Sequence, residues 1–444
     1  MQSGRSVAGN PGRRRWHNQA GRVALAGLAI IAVGLGAGCS SPSPRAGATS
    51  PRPPVSHSAS PRPSASQQPP LSPAAQQATA VQGQAATATS AQLADLASQA
   101  NEIATMSPEQ MAGQRVIYSY SGLSAPPALL SAISHGDVGG VIFFGFNISS
   151  PAQLSGVIAQ MKAANASPDN PARNYPLLLM TDQEGGLVRR LPWAGPAQSE
   201  KQVGASANPA AAASAAGSQA AAGLHAVGIN VDLAPVLDVY RQPGDFDDQY
   251  QRSYSMSQGV ASAAGAAYIR AQQAGGVAAT VKHFPGLGAA TAGQNTDNGP
   301  VTISLPAAAL RSVDEAAYPQ PIQAGVKLAM LSWANYPALD PRLPAGLSPT
   351  IIQGDLQGRL GFDGVTITDA LGAGALGTYG SLQNKTMLAA RAGMDALLCT
   401  GIDPLPGPEC VAGVADGYTD GALPPLAFKA QLAQLLQLRA SLAG

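Results

Sequence analysis

Three short apolar runs end on ionisable residues: LLLMTD on Asp182, VAATVKH on Lys282 and His283, and GVTITD on Asp369. Two carboxylates, an ammonium and an imidazole gathered on one rim would make a polar site able to hold a ligand and act on it. Each alone has a plainer reading, because an aspartate at a strand end can cap the next helix or turn and a histidine there can be a satisfied structural group. Capping does not explain why charge closes apolar strands repeatedly on the same side, so the joint pattern favours a site. The segments that follow agree: DQEGGLVRRL and KHFPGLGAATAGQ carry glycines, which let backbone approach a ligand or let a loop move.

Positioning such groups needs a repeated scaffold. Apolar runs of strand character occur at 115–120, 138–144, 176–182, 230–236, 277–283, 327–333, 364–369 and 394–399, each followed by a helix-like or irregular segment. Between them lie alanine-rich helical stretches such as 209–227 and 259–274. Eight parallel strands with crossovers close most readily into a (β/α)8 TIM-type barrel, with an open doubly wound sheet as the alternative. Barrel enzymes place their chemistry at the carboxyl ends of the strands, which is where the three ionisable endings fall.

The chain has 444 residues, and its first part is not built like the rest. Residues 1–39 read as an export signal: Arg13, Arg14 and Arg15 form a basic start, an uncharged apolar stretch follows, and Gly36-Ala37-Gly38 precedes Cys39. A small-residue run directly before a cysteine and a Ser/Pro tract resembles a lipobox, so Cys39 is the expected lipidation site. Ordinary signal cleavage or an uncleaved anchor are the alternatives, and the triple arginine leaves the export route open. All place the body outside the cytoplasm, with any membrane contact made through the anchor alone. Residues 40–92 are Pro, Ser, Ala, Gln and Thr with almost no large apolar side chain, which reads as a disordered linker. The body, 93–444, has the length of one large α/β domain. Loss of the signal would lower the formal charge from +1 to −4, and with the basic residues concentrated ahead of the body, nucleic acid is not expected as a partner. Of three cysteines, Cys399 and Cys410 remain as a pair in an oxidising compartment, either disulfide-bonded or as two separate thiols. No CxxC or HExxH spacing occurs, and neither a metal nor an organic cofactor is expected.

At the level of motifs the body resembles the glycoside hydrolase family 3 enzymes. MSPEQMAGQRV, GGVIFFGFNI, MTDQEGGLVRRL, GINVDLAPVLDV, QRSY, KHFPGLG and GFDGVTITDAL stand in the order seen in that family. The resemblance is to single-domain β-N-acetylhexosaminidases acting on cell-wall sugars, since the 75 residues after Asp369 can finish a barrel but cannot supply a second sandwich domain. It implies that Asp369 is the nucleophile of a retaining double displacement, for which an ionised carboxylate is suited. It also implies that Asp182, Arg190, Arg252, Lys282 and His283 contact the sugar, long donors beside carboxylates fixing a pyranose by directed hydrogen bonds. Terminal β-linked N-acetylglucosamine of cell-wall glycans or muropeptides is the implied substrate, and a monomer is expected.

The sequence departs from the family's pattern where those enzymes carry a general acid/base histidine. The loop after Lys282-His283 reads FPGLGAATAGQNTDNGP, Leu287 replaces the first loop histidine, and no histidine follows His283. A glycosidase still needs a proton donor to the leaving oxygen. Asp297, the one ionisable side chain between His283 and Pro300, is the candidate. Its carboxyl would need its pKa raised by burial or by the nucleophile's charge; the alternative is a turn with Asn298 and Gly299. Two other functions stay open at this point: a sugar-binding lipoprotein that has lost turnover, and a family 3 β-glucosidase or β-xylosidase.

Overall fold

The structure is a computed structural model and describes residues 99–442. The proposed signal, linker and lipidated Cys39 lie outside the described residues. The eight expected strands are present, seven with shorter bounds and the fifth shifted by one residue: β1 Val116–Tyr118, β2 Gly140–Ile142, β3 Leu178–Thr181, β4 Val231–Asp232, β5 Ala278–Phe284, β6 Leu328–Leu331, β7 Val365–Thr368 and β8 Leu397–Cys399. They pair in parallel in the order β8-β1-β2-β3-β4-β5-β6-β7. A parallel bridge between Ile367 and Ala396 joins β7 to the residue preceding β8 and closes the sheet into a barrel.

Side-chain parity explains both the core and the rim. Successive strand residues point to opposite faces. Ile117, Ile142, Leu178, Met180, Val231, Ala278, Leu328, Met330, Val365, Ile367 and Leu398 form one cluster inside the barrel. Their neighbours Val116, Tyr118, Val141, Leu179, Ala279, Val281, Ala329, Leu331 and Cys399 join a second cluster with the helices outside. Strands buried on both faces read as continuous apolar runs, which is why the sequence showed them so clearly.

The crossover helices are set by their ends. The helix Pro209–Val227 starts with proline in its first turn, Asn208 accepting from Ala211 N, and stops at Gly228 in the left-handed conformation, φ 91°. It packs against Gln258–Ala274, small residues on both allowing close approach. The final helix, Pro425–Ser441, crosses the opposite end of the barrel from the rim: its Leu435 and Leu438 enter the interior cluster. Arg439 on this helix, fully buried, donates to Pro176 O at 2.7 Å, Tyr175 O at 2.9 Å and Gln114 Oε1. Gln434 donates to Gly364 O at 2.6 Å. These acceptors precede β3, β1 and β7, so the helix seals the amino-terminal mouth.

Candidate active site

The inward parity of the strands continues past their last residues. After Leu178 and Met180 the next inward position is Asp182, after Val365 and Ile367 it is Asp369, and after Ala278 and Thr280 it is Lys282. All three line one cleft of about 360 Å³ at the carboxyl end of the barrel, together with Glu184, Arg190, Arg252, His283, Leu287 and Asp297. His283, one residue on from Lys282, would face the other way in a regular strand. The β5–β6 register slips between Val281 and Phe284, and both side chains reach the cleft.

The floor is a chain of ion pairs. The Lys282 ammonium, 1% exposed, lies 2.8 Å from Asp182 Oδ1 and 2.7 Å from Glu184 Oε1. Arg252 meets Glu184 through two nitrogens at 2.9 Å each and Asp247 Oδ1 at 3.1 Å. The His283 imidazole faces the Arg252 guanidinium through Nε2 at 3.4 Å and Asp238 through Nδ1 at 2.7 Å. Asp238 also accepts Leu287 N at 2.6 Å, fixing the start of the following loop. Arg190 stands 3.9 Å from Asp182.

These contacts set the charges. Burial works against the ionised Glu184, but Arg252 and then Lys282 outweigh it and hold the carboxyl at about 2. For Asp182 burial is likewise overcome by Lys282 and Arg190, and its pKa is lowered. Burial would discharge Lys282, yet Asp182 and Glu184 keep it above the ordinary lysine value. His283 is raised in the same way, burial being outweighed by Asp238. Asp247 moves the other way, to about 7, because burial and then the Asp238 charge exceed the help from Arg252. Asp238, Asp247 and His283 bring ligand-type atoms within 4.8 Å of one another, and the Arg252 guanidinium already stands against two of the three.

Asp369 and Asp297 stand apart from this network. Asp369 is half-buried, and its Oδ1 accepts the N–H of Ala370 at 2.7 Å. The carbonyl of that same residue accepts from the Trp333 indole at 2.8 Å, so Ala370, next after Asp369, is held through both its N–H and its carbonyl. Asp297 is open to solvent in the cleft wall, where surrounding protein and, next, the negative charge of Asp369 push its carboxyl above the usual range. The turn expected at 297–299 is also there, Asn298 N and Gly299 N bonding to Asn295 O.

Every site residue singled out by sequence within the described chain except the cysteine pair lines the cleft. Cys399 ends β8 and is disulfide-bonded to Cys410 in the helix Gly407–Thr419, with Cα atoms 6.3 Å apart. Thr400, Gly401 and Ile402, immediately after Cys399, form part of the cleft wall. Sequence reasoning passed over Glu184, Asp238 and Asp247. Glu184 could have been found by counting two residues on from Asp182, which gives the same inward parity. Asp247 carries no comparable signal, since it sits in the short helix Phe246–Gln249, away from any strand end.

A closed parallel barrel whose strand ends deliver carboxylates and paired cations to one cleft defines an enzyme working at the barrel's carboxyl face. The profile of the glycosyl hydrolase family 3 N terminal domain matches residues 123–438, and the chain belongs to that family. A secreted glycosyl hydrolase of Arthroderma benhamiae is 43% identical over 353 residues, covering 78% of this chain and 98% of the relative. A β-hexosaminidase of Xanthomonas oryzae pv. oryzae is 32% identical, covering 60% of this chain and 77% of the relative. Among solved structures, a family 3 β-N-acetylglucosaminidase from a Paenibacillus species superposes with a TM-score of 0.70 at 30% identity, over 77% of this chain and 64% of that one. A β-N-acetylhexosaminidase from Beutenbergia cavernae gives 0.67 at 31% identity, over 76% and 99%. No helix of the described residues is long and apolar enough to cross a membrane.

Proposed function

We propose that this family 3 glycosidase is a retaining exo-enzyme that removes terminal β-linked N-acetylglucosamine from cell-envelope glycans or muropeptides. The observation that carries the reading is the shared cleft of Asp369 and Asp297, in which the charge of one carboxylate helps keep the proton on the other. In the first step Asp369 attacks the anomeric carbon. A bond forms between its carboxylate oxygen and that carbon, the bond to the leaving oxygen breaks, and Asp297 gives its proton to that oxygen. Esterification removes the negative charge beside Asp297, so the carboxylate left after proton transfer stays ionised; it then takes a proton from the water whose oxygen bonds to the anomeric carbon as the bond to Asp369 breaks. Asp182 accepts from sugar hydroxyls, while Lys282, Arg252, Arg190 and His283 direct hydrogen bonds at the ring. A lipid on Cys39 would tether a monomeric enzyme beside its substrate, without a cofactor.

The test is release of nitrophenol from a panel of p-nitrophenyl β-glycosides by the body of the chain, with Asp369→Asn as control. Turnover of the N-acetylglucosaminide above the glucoside and xyloside is expected. Preference for the glucoside or xyloside would move the specificity elsewhere in the family. Silence across the panel with saturable binding of the same sugars would make the protein a receptor, a reading that Leu287 in place of the loop histidine keeps in view.

A further inference from the structure

The mouth of the cleft differs in chemistry from its floor. Phe144 beyond β2, Tyr250 after β4 and Ile402 after β8 all line it, and Tyr250 and Ile402 are 46% and 75% exposed. Phe144 stacks on Phe146, ring centroids 5.5 Å apart, and Phe146 is itself 45% exposed. In barrel order these side chains follow even-numbered strands, whereas Asp182 and Asp369 follow β3 and β7 and Lys282 lies near the end of β5. Large apolar side chains left open to water next to a polar pocket mark a binding surface. Its continuity with the sugar cleft identifies the occupant as the part of the substrate beyond the scissile bond.

Charge narrows that occupant further. Each cation of the cleft already faces a carboxylate: Lys282 faces Asp182 and Glu184, Arg252 faces Glu184 and Asp247, and Arg190 faces Asp182. Asp297 and Asp369 take part in no ion pair among the described residues. An anion brought beside them would meet the charge of Asp369 without a cation to answer it, a repulsive element of the kind that sets specificity.

We propose that the aglycone subsite takes an uncharged saccharide, laid by its apolar C–H face against Phe144, Tyr250 and Ile402, and discriminates against an aglycone that carries a free carboxylate. The inference rests on the glycosidase reading above and selects among its substrates. The experiment compares kcat/KM for three β-linked disaccharides with N-acetylglucosamine at the non-reducing end. Their reducing sugars are N-acetylglucosamine, its lactyl ether as the free acid, and that lactyl ether as the amide. The unsubstituted sugar and the amide should be processed within a few-fold of each other and the acid about 10-fold more slowly, a factor worth about 1.4 kcal/mol. An acid processed as well as the amide overturns the proposal, as does failure of all three disaccharides while the aryl glycoside turns over. Tyr250→Ala and Ile402→Ser should each reduce kcat/KM for the neutral disaccharide several-fold more than for N-acetylglucosaminyl fluoride, whose leaving group is too small to reach the mouth. Equal losses overturn the stacking role. Were no glycoside hydrolysed, the glycosidase reading would fail separately, and calorimetric binding of the three disaccharides to the wild-type chain would still have to follow the same order.

Discussion

Asp297, outside the ion-pair network, is the residue on which the alkaline limb of activity should rest. Asp297 must carry a proton to serve the leaving group, and its raised pKa keeps that proton to higher pH than an ordinary aspartate would. Activity should therefore fall as pH rises through that raised value. Asp297→Ala should cost about 10²–10⁴-fold on substrates with poor leaving groups, far less on activated aryl glycosides, and should abolish that alkaline limb. Equal losses on both substrate classes, or an unchanged limb, would remove Asp297 from the role. Glu184 makes the opposite contribution. Its carboxyl falls from 4.5 to about 2 on folding, so the stability it adds is complete above the unfolded value and lost as pH falls toward 2. Glu184→Gln should cost about 3–5 kcal/mol in denaturant unfolding at pH 7, because Lys282 and Arg252 would stay buried with less compensation, and should flatten that acid limb. Asp182, Lys282 and Asp369 were legible in the sequence because they end apolar strands. Asp238 was not, because its role depends on a histidine 45 residues away that only folding brings to it; Asp247 was not, because a spacing of five from Arg252 does not single it out.

At the scale of elements, the loop after β7 ties the chemistry together. Leu371 N bonds to Leu398 O at 3.1 Å and Gly372 N to Thr400 O at 2.8 Å, toward the loop after β8. On the other side Gly374 N bonds to Asp297 O at 2.8 Å and Ala375 N to Thr296 O at 2.9 Å. The loop that begins with Asp369 thus holds the backbone of Asp297. A Cβ on Gly374 would lie 2.5 Å from Asn298 C and 2.8 Å from Asp297 O, inside contact distance of backbone on both. Gly374→Val should displace the Asp297 loop and lower kcat on unactivated glycosides at least about 10-fold, in line with the cost of misplacing a catalytic group, with a smaller effect on aryl glycosides and little change in Tm. A matched loss on both, or unaltered kinetics, would show that the two loops are not coupled. The hairpin Gln183–Gly185 with Val188–Arg189 does similar work for Glu184. It turns through Gly185 at φ 107°, where a Cβ would lie 2.3 Å from Gln198 O. The sequence showed glycines in both loops but not which backbones they approach, since those are set by residues far away along the chain.

For the whole molecule, the barrel was legible in the sequence because all eight strands are buried on both faces and so announce themselves as apolar runs. The seal at its other end was not. A helix whose polar side chains hold carbonyls 70 to several hundred residues away has no local pattern to give it away. Arg439 is the residue that makes the seal, and burial lowers its pKa to about 9. Arg439→Met should destabilise the barrel by about 3 kcal/mol, since several buried acceptors would lose their donor. Thermal unfolding and amide exchange in β1 and β3 would report it, with kcat at low temperature little changed because the rim is at the far end. The proposed mechanism depends on the Asp369 carboxylate as the group that receives the sugar. The most direct measurement is mass spectrometry of the enzyme quenched during turnover of a slow, 5-fluoro N-acetyl-β-glucosaminide, followed by peptide mapping. One glycosyl mass is expected on the peptide containing Asp369 and none in Asp369→Asn. Label on another carboxylate, or undiminished label in the variant, would contradict it.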